Sequence, residues 1–230
     1  MDFLESINCK AYKIASPEIT DINLINYIAS KNKPIILSTG MAEEKDLNFA
    51  VRNIKKQHSK FAILKCTSKY PASYKDLNLS SIKKIKKKHR CVVGFSDHTL
   101  DNLAANISVV FGATIIEKHF KLDRDMTSID SHFSVPISNY QTIKNSLNNV
   151  NNCIGNENLG FKITQEQKNS RRSIYVSKNL KKNNKLTIEN IKSIRPGFGL
   201  HPKFFNEILG RSVKKNIEYG SPLKLKDIKK

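Results

Sequence analysis

Short apolar runs alternate with helical patterns through the first two thirds of the chain. Each of the strand-like runs is followed by a stretch whose apolar residues recur at helical spacing. Strands that return about every 20–30 residues with a helix between them are βα units, which build a parallel sheet, either open or closed into a barrel. The predicted strands are 11–15, 34–38, 62–66, 91–95 and 114–117, and the predicted helices are 22–30, 43–56, 79–89, 100–111 and 138–151.

The pattern changes beyond the last of these helices. Residues 155–170 are polar and contain two glycines, which is typical of a linker. Short strand-like runs and turns follow, with a capped helical turn at 187–190, and they predict a small, mostly β module. We therefore expect a βα domain at 1–152, a linker at 153–170 and a small domain at 171–230.

The βα region is short for a closed barrel. A (β/α)8 barrel takes about 250 residues, whereas the predicted strands before the linker number only five. Residues 3–7 look helical and would precede the first strand. We expect a partial barrel that lacks roughly three βα units. The chain would then be the C-terminal part of a longer design: a truncated gene, a fragment or one half of a split protein.

Polar residues follow every predicted strand. The carboxyl ends of barrel strands converge on one face, and that face holds the active site. Helix capping accounts for polar residues at one or two strand ends, but less readily at all of them. The segments are KIASPE (13–18), LSTG (37–40), KCTSKYP (65–71), GFSDHT (94–99) and EKHF (117–120).

His98 and His119 each follow one of two neighbouring strands. Neutral imidazoles that project from adjacent strand ends can ligate one divalent metal, and water or substrate would complete its shell. Such a metal polarises a carbonyl as a Lewis acid. Spacing alone leaves the alternative open, namely two polar strand ends held by loop contacts.

A second candidate group combines Lys13 with the hydroxyls of Ser16, Ser38 and Ser68. A lysine and several hydroxyls on consecutive strand ends can hold a phosphate or a carboxylate. For any single serine, ordinary helix capping explains the residue as well.

Three further charged residues are candidates for contacts to a ligand. Glu18 and Asp130 can serve in proton transfer or hold a sugar hydroxyl. Arg195 begins RPGFG (195–199), whose proline and glycines predict a tight, pre-shaped loop. A guanidinium there can reach an anionic ligand, and a plain surface turn explains it equally well. The sequence has neither a GxGxxG motif nor a P-loop.

The formal charge of +20 raises the question of a nucleic-acid partner. The lysines are spread along the chain, and in the densest run, 83–90, Ile82 and Ile85 mark the buried side of an amphipathic helix whose lysines face solvent. We therefore expect solvated lysine faces rather than a nucleic-acid partner, and a polyanion-binding surface is the alternative. We also expect no membrane span, because no stretch approaches about 20 apolar residues. The four cysteines form no CxxC pair and predict reduced thiols in a cytoplasmic protein.

Taken together, the motifs resemble the sialic acid (nonulosonic acid) synthase family. The similarity runs in the family's order over nearly the whole chain, and six collinear motifs are far more specific than any one of them. They are KIASPEITD (13–21), KPIILSTGMA (33–42), KCTSKYPA (65–72), GFSDHT (94–99), GATIIEKHFKLDR (112–124) and SIRPGFGLHP (193–202).

The resemblance implies a (β/α)8 barrel linked to a small antifreeze-protein-like (SAF) domain, in a domain-swapped homodimer. It also implies condensation of phosphoenolpyruvate with the open-chain aldehyde of a six-carbon N-acetylated amino sugar, with C–O cleavage releasing phosphate. A divalent metal, Mn2+ or Mg2+, would be held by His98 and His119. The matched residues are Lys13, Ser16, Ser38 and Ser96 around phosphoenolpyruvate; Glu18, Tyr70 and Asp130 at acid–base or sugar positions; and Arg195, delivered across the dimer.

Departures from the family pattern refine the expectation. Ser68 stands where sialic acid synthases often have Asn, and DSHFS (130–134), KCTS (65–68) and GLHPKF (199–204) look more like the pseudaminic acid branch. The leading hypothesis is a pseudaminic acid synthase. The alternatives are an N-acetylneuraminate or legionaminate synthase, or an inactive, truncated carbohydrate-binding remnant. The family's first three strands carry another phosphate-binding lysine, so we expect little activity from this chain alone and an open edge strand at its N-terminal side.

Overall fold

The computed structural model describes residues 1–156, 158 and 162–229. The chain folds as two compact units, Met1–Asn156 and Glu157–Lys230. Parts of the predicted linker (157 and 159–161) and the last residue of the predicted small domain lie outside the described residues. None of the helices in the described part has the length and apolar character that crossing a bilayer demands.

A parallel sheet forms the centre of the N-terminal unit, and its strands follow one another in chain order. Every neighbouring pair is parallel, as expected for successive βα units. A short parallel pair, β6 (Phe120–Lys121) and β7 (Val135–Pro136), lies in the segment after the sheet. The sheet strands are β1 (Tyr12–Ile14), β2 (Ile35–Ser38), β3 (Phe61–Cys66), β4 (Val92–Asp97) and β5 (Ile115–Lys118).

Helices connect these strands close to the predicted positions. The Asp21 side chain caps α2 (Ile22–Ser30) by accepting the Leu24 N–H at 3.0 Å, and Arg90 ends α4 (Ser81–His89) in the left-handed conformation. The helix predicted at 100–111 begins later, because Asp101 accepts the Leu103 N–H and the residues before it form a hydrogen-bonded loop. The helices are α1 (Asp2–Ser6), α2 (Ile22–Ser30), α3 (Glu44–Gln57), α4 (Ser81–His89), α5 (Leu103–Val110) and α6 (Tyr140–Ile154).

The sheet is strongly curled. Four inter-strand steps of about 4.8 Å would put β1 and β5 nearly 20 Å apart in a flat sheet. Yet the Lys13 ammonium on β1 lies 2.8 Å from the Glu117 carboxylate on β5. Their side chains are too short to bridge a flat sheet, so the strands must wrap around a common interior. This is the geometry of part of a (β/α)8 barrel, as predicted.

Alternation along the strands separates two faces of this sheet. The face under the helices is apolar, and Ile14, Leu37, Ile63 and Phe95 on it are at most 2% exposed. The inner face becomes polar toward the carboxyl ends of the strands, where the register aligns Cys66 with Ser96 and Ser96 with Glu117. The polar strand ends identified in the sequence therefore gather along one rim.

The C-terminal unit is small and contains little regular structure. Strands β8 (Ser173–Val176) and β9 (Ile191–Ile194) pair in antiparallel fashion, and isolated bridges tie the remaining segments to them. The core includes Ile174, Leu186 and Val213, each fully buried. A four-residue helix, α8 (Phe205–Ile208), completes the elements of a mostly β module.

One local detail differs from the predicted pattern, and one predicted turn is present. The stretch predicted as linker contains a short helix, α7 (Gln165–Asn169), because Thr164 and Gln167 exchange side-chain-to-backbone hydrogen bonds in a capping box. The predicted helical turn at 187–190 is a single hydrogen-bonded turn, closed by the Asn190 N–H donating to the Thr187 carbonyl.

Candidate functional site

The two histidines lie side by side at the carboxyl rim of the sheet. His98 directly follows β4 and His119 directly follows β5, and their ring centroids are 5.4 Å apart. His98 is 5% exposed, and its Nδ1 lies 2.9 Å from the Thr67 carbonyl oxygen. That hydrogen bond orients the ring, so a metal would bind at Nε2, which would then give up its hydrogen bond with the Cys66 thiol.

Aromatic rings surround the pair. Tyr70 lies 4.2 Å from His98 and 5.9 Å from His119, measured between ring centroids. Phe133 packs 4.8 Å from His119 and 5.0 Å from Tyr70, and it is nearly fully buried. These rings restrict the histidine rotamers and lower the local polarity on one side of the site.

The electrostatic environments of the two imidazoles differ. Burial lowers the pKa of His98, but hydrogen bonds to Cys66 and to the Thr67 carbonyl outweigh burial and raise that pKa above its ordinary value. Burial and the nearby charge of His98 lower the pKa of His119. Asp130 opposes this, with its Oδ2 at 3.7 Å from His119 Nδ1, an electrostatic contact longer than a hydrogen bond.

Hydroxyls and a thiol crowd around Gly40, just beyond β2. The Gly40 N–H donates to Ser16 Oγ at 2.9 Å. A Cβ at this glycine would lie 2.8 Å from both Ser16 Oγ and Cys66 Sγ, and closer still to Ser68 Oγ. Any side chain there would displace these groups, so Gly40 allows the polar atoms of three strand ends to converge.

Cys66 lies at the centre of this group. Burial raises the pKa of its thiol, but hydrogen bonds with His98 and Ser16 outweigh burial and lower that pKa to about 7. Its Sγ is 3.9 Å from Ser68 Oγ. The thiol thus links the histidine pair to the serine hydroxyls.

Ser38 is a predicted site residue whose buried hydroxyl lacks a hydrogen-bond partner among the described residues. Its side chain is buried, with 2% of the residue exposed, and among the described residues its Oγ has no hydrogen-bond partner. A buried, unsatisfied hydroxyl is costly, so such a group calls for an explanation. A bound ligand at the rim would supply the missing partner.

Lys13 is held across the interior by a carboxylate. Its ammonium contacts both oxygens of Glu117, at 2.9 and 2.8 Å, and Ser96 Oγ donates to the same carboxylate at 2.7 Å. Burial raises the pKa of Glu117, but the hydrogen bonds from Lys13 and Ser96 outweigh burial and lower it. The lysine and serine predicted to bind one anion therefore share a carboxylate in this structure.

The structure does not bring all the predicted residues into this cluster. Glu18 lies partly exposed in a single helical turn, Pro17–Thr20, and in the described part it makes no side-chain hydrogen bond or ion pair. Asp130 is exposed beside His119. Arg195 is exposed in the C-terminal unit, where Ser173 Oγ accepts the Gly199 N–H and donates to the Pro196 carbonyl, both at 2.8 Å, fixing its loop.

Four residues of the rim received no role in the sequence analysis, although Gly40 and Glu117 belong to the polar strand ends identified there: Gly40, Cys66, Glu117 and Phe133. Glu117 could have been found, because it is the ionisable residue one position before the end of β5 and alternates with His119 on the same face. Gly40 and Cys66 are part of the polar segments already singled out. Phe133 lies in a loop, and no periodicity signals its position.

The donor set fits a metal held by two histidines. Among the described residues, no group of three or more His, Cys, Asp or Glu side chains is placed to hold a metal ion. Two imidazoles, one of them already oriented by a backbone carbonyl, still offer two neighbouring ligand nitrogens. Water or a substrate oxygen would have to complete the coordination.

Comparison with known proteins decides the family. The NeuB family model matches residues 1–159, and the SAF domain model matches residues 171–229. The chain belongs to the NeuB family. Its named relatives make nonulosonic acids, so this is a family of biosynthetic synthases.

Individual relatives agree with this assignment. The chain is 40% identical over 232 residues to pseudaminic acid synthase of Campylobacter jejuni, covering 100% of this chain and 67% of the relative. It is 32% identical to N,N'-diacetyllegionaminic acid synthase of Legionella pneumophila, over 97% of this chain and 65% of the relative. A crystal structure of a spore coat polysaccharide biosynthesis protein from Bacillus subtilis superposes with a TM-score of 0.64 at 29% identity, covering 100% of this chain and 70% of that one. This NeuB-family chain thus spans about two thirds of the length of these relatives.

Proposed function

We propose that this chain carries the rim residues of a pseudaminic acid synthase. The reaction joins phosphoenolpyruvate to the aldehyde of a six-carbon N-acetylated amino sugar. The C3 methylene carbon of phosphoenolpyruvate forms a bond to the aldehyde carbon, whose oxygen takes up a proton and becomes a hydroxyl. Water then adds to C2, and phosphate leaves by cleavage of the C2–O bond. The observation that carries the proposal is the convergence, on one rim of a NeuB-family sheet, of two neighbouring imidazoles with a lysine and several hydroxyls.

The lysine and hydroxyls would bind phosphoenolpyruvate. Lys13 supplies a positive charge for its phosphate or carboxylate, and Ser16, Ser38 and Ser96 supply hydroxyl donors. The unpartnered, buried Ser38 hydroxyl supports this role, because an anionic ligand would satisfy it. Binding requires Lys13 and Ser96 to exchange part of their contact with Glu117 for the ligand.

The histidines would hold a divalent metal, Mn2+ or Mg2+, each through one ring nitrogen. When bound, such a metal supplies Lewis acidity toward a carbonyl oxygen. In this chain, the Thr67 carbonyl orients His98, while Tyr70 and Phe133 pack against the rings and exclude water from one side.

The remaining predicted residues would handle protons and the sugar. Tyr70 lies against both histidines, and Asp130 stands beside His119, so either can reach a sugar hydroxyl near the rim. Ser68, close to Cys66, extends the same surface. We assign Glu18 to proton transfer only as a consequence of the family resemblance. Arg195 would contact the substrate from a second copy of the chain in a domain-swapped homodimer.

Sequence identity favours a pseudaminic acid synthase over a legionaminic acid synthase. The 40% identity to a pseudaminic acid synthase exceeds the 32% identity to a legionaminic acid synthase over nearly the same residues. A legionaminate or N-acetylneuraminate synthase remains the alternative, together with a chain that binds its sugar without turning it over.

The test is phosphate release from phosphoenolpyruvate with Mn2+ and, in separate assays, the sugar precursors of pseudaminic, legionaminic and N-acetylneuraminic acid. We expect slow release, in keeping with the incomplete barrel, that is highest with the first sugar and is lost in His98→Ala. His58→Ala, which changes a histidine that precedes β3 at the opposite end of the sheet, is the matched control. Sugar binding by calorimetry without phosphate release would replace the enzyme proposal by the binding one.

A further inference from the structure

A buried ion pair lies directly behind the two histidines. Asp97 and Lys118 are aligned in the register of β4 and β5, and their side chains are 0% and 8% exposed. Lys118 Nζ donates to Asp97 Oδ2 at 2.7 Å. Because side chains alternate along a strand, this pair faces the helices, whereas His98 and His119, each one residue later, face the rim interior.

The pair also fixes the backbone that follows His98. Lys118 Nζ donates to the carbonyl oxygens of Thr99 at 2.6 Å and of Asp101 at 3.0 Å. Asp97 Oδ1 accepts both the N–H and the hydroxyl of Thr99 at 2.8 Å. One network therefore holds the residues on both sides of His98 and ties them to the residue before His119.

We propose that Asp97 and Lys118 are positioning residues that set the separation and orientation of His98 and His119 for metal binding. This inference rests on the proposed metal role of the histidines. Stability alone does not explain the pair, because an apolar pair of similar volume would serve a fold as well or better. What an apolar pair lacks is directional hydrogen bonds, and those bonds join the two segments that carry the imidazoles.

A site with two protein ligands depends strongly on such support. A third protein donor cannot replace His98 or His119 if either is lost as a ligand, since the described residues offer no larger metal-binding cluster. A small change in the angle between β4 and β5 therefore acts directly on the distance between the two ligand nitrogens. Loss of supporting contacts behind metal ligands lowers metal affinity by about 10–100-fold in known sites.

The test measures Mn2+ affinity of the full chain by the electron paramagnetic resonance signal of free Mn2+. We expect Lys118→Met to weaken binding by at least about 10-fold. The matched control is Lys65→Met: Lys65 lies on the same face of the sheet near the end of β3, and within the described residues its ammonium donates only to the Cys66 carbonyl. The control should stay within about two-fold. Equal effects in both variants, or none in Lys118→Met, would overturn the proposal.

Two further variants separate positioning from folding. The double variant Asp97→Leu, Lys118→Met replaces the charges by apolar groups and should recover unfolding stability while Mn2+ affinity stays low. Recovery of both would show a purely structural pair and overturn the proposal. If Lys118→Met does not fold, Thr99→Val is the deciding variant, because it removes the hydrogen bond from the Thr99 hydroxyl to Asp97 and keeps the shape of the side chain. We expect Thr99→Val to bind Mn2+ about three-fold more weakly. Unchanged Mn2+ affinity in this variant would refute the proposal.

A metal-free measurement distinguishes failure of this inference from failure of the proposed function. If the wild-type chain binds Mn2+ no better than His98→Ala, the metal role of the histidines fails. The imidazole 15N resonances of His98 and His119 in metal-free protein still report their surroundings. We expect both to shift in the double variant and neither in Lys65→Met. Unchanged resonances in the double variant would overturn the positioning role on their own.

Discussion

Two ion pairs stand at the same rim of the sheet, and they differ mainly in their surroundings. Asp97 and Lys118 meet at 2.7 Å on the helix side with almost no exposed surface. Lys13 and Glu117 meet at 2.8 Å on the inner side, where their side chains are 32% and 41% exposed. Nearly equal distances thus join a pair shut off from solvent and a pair open to it.

This difference in solvent exposure determines which ion pair can exchange a partner for water or a ligand. A buried pair has no water to replace a lost partner, so removing one charge leaves the other uncompensated. In an open pair, water or an anion can take the place of the carboxylate at little cost. We therefore assign the inner pair to ligand exchange and the outer pair to maintenance of the rim.

The largest expected effect is on stability at the buried pair. Asp97→Ala leaves the Lys118 ammonium buried without its carboxylate, and it also removes the acceptor of two Thr99 hydrogen bonds. We expect a loss of about 3–5 kcal/mol in the free energy of unfolding. Urea unfolding followed by circular dichroism measures it. Lys13→Met should cost about 1 kcal/mol or less in the same assay, and comparable losses would abolish the contrast.

The next effect is on ligand binding at the open pair. Lys13→Met removes the positive charge that we assign to phosphoenolpyruvate, and a hydrogen bond to a charged group contributes about 1.5–3 kcal/mol. We expect the Kd for phosphoenolpyruvate to rise about 10- to 100-fold, measured by isothermal titration calorimetry. Lys60→Met, a lysine beside β3 that donates to Asn32, is the control. An unchanged Kd in Lys13→Met would remove this lysine from the binding site.

A smaller change is expected when the carboxylate of the open pair is neutralised. Glu117→Gln keeps an acceptor for Ser96 but no longer competes with an anion for Lys13. We expect inorganic phosphate to bind about two- to five-fold more tightly, in proportion to the modest strength of a partly exposed pair. Fluorescence-detected or calorimetric titration with phosphate measures the change. Weaker phosphate binding would show that Glu117 organises the site rather than competing for its lysine.

Much of the fold follows from local patterns in the sequence. The alternation of apolar runs with amphipathic segments predicted all five sheet strands, because a buried parallel strand needs a continuous apolar run. Helix α7 was harder to predict, since its five residues are polar and only the Thr164–Gln167 capping box marks it. The curl of the sheet is a property of accumulated strand twist, and no single segment encodes it.

The sequence predicts which strand ends carry site residues, but it does not predict all the contacts between those residues. His98 and His119 could be paired because adjacent parallel strands end at the same edge. The contact between Lys13 and Glu117 could not, because their strands are distant in the sheet and meet only after it curls. The same limit applies to the crowding of Ser16, Cys66 and Ser68 around Gly40, which depends on the close approach of three loops.

The smallest effect on stability is expected at an ion pair that is more exposed to solvent than Lys13 and Glu117. Glu44 contacts Lys84 at 2.9 Å and Lys88 at 2.6 Å across α3 and α4, and these hydrogen bonds lower the pKa of Glu44 from 4.5 to about 2. A depressed carboxyl pKa gives a stabilising contribution that is complete above about pH 4.5 and is lost as the pH falls through about 2. Because solvent screens these exposed groups, Lys84→Ala and Lys88→Ala should lower the free energy of unfolding at neutral pH only slightly, and by less than Lys13→Met does. NMR titration of the Glu44 carboxyl should show its pKa returning toward 4.5 in the double variant. A clear loss of stability at neutral pH would mean that solvent exposure does not determine how much each ion pair contributes to the free energy of unfolding. The contrast between the buried and open pairs would then need another cause.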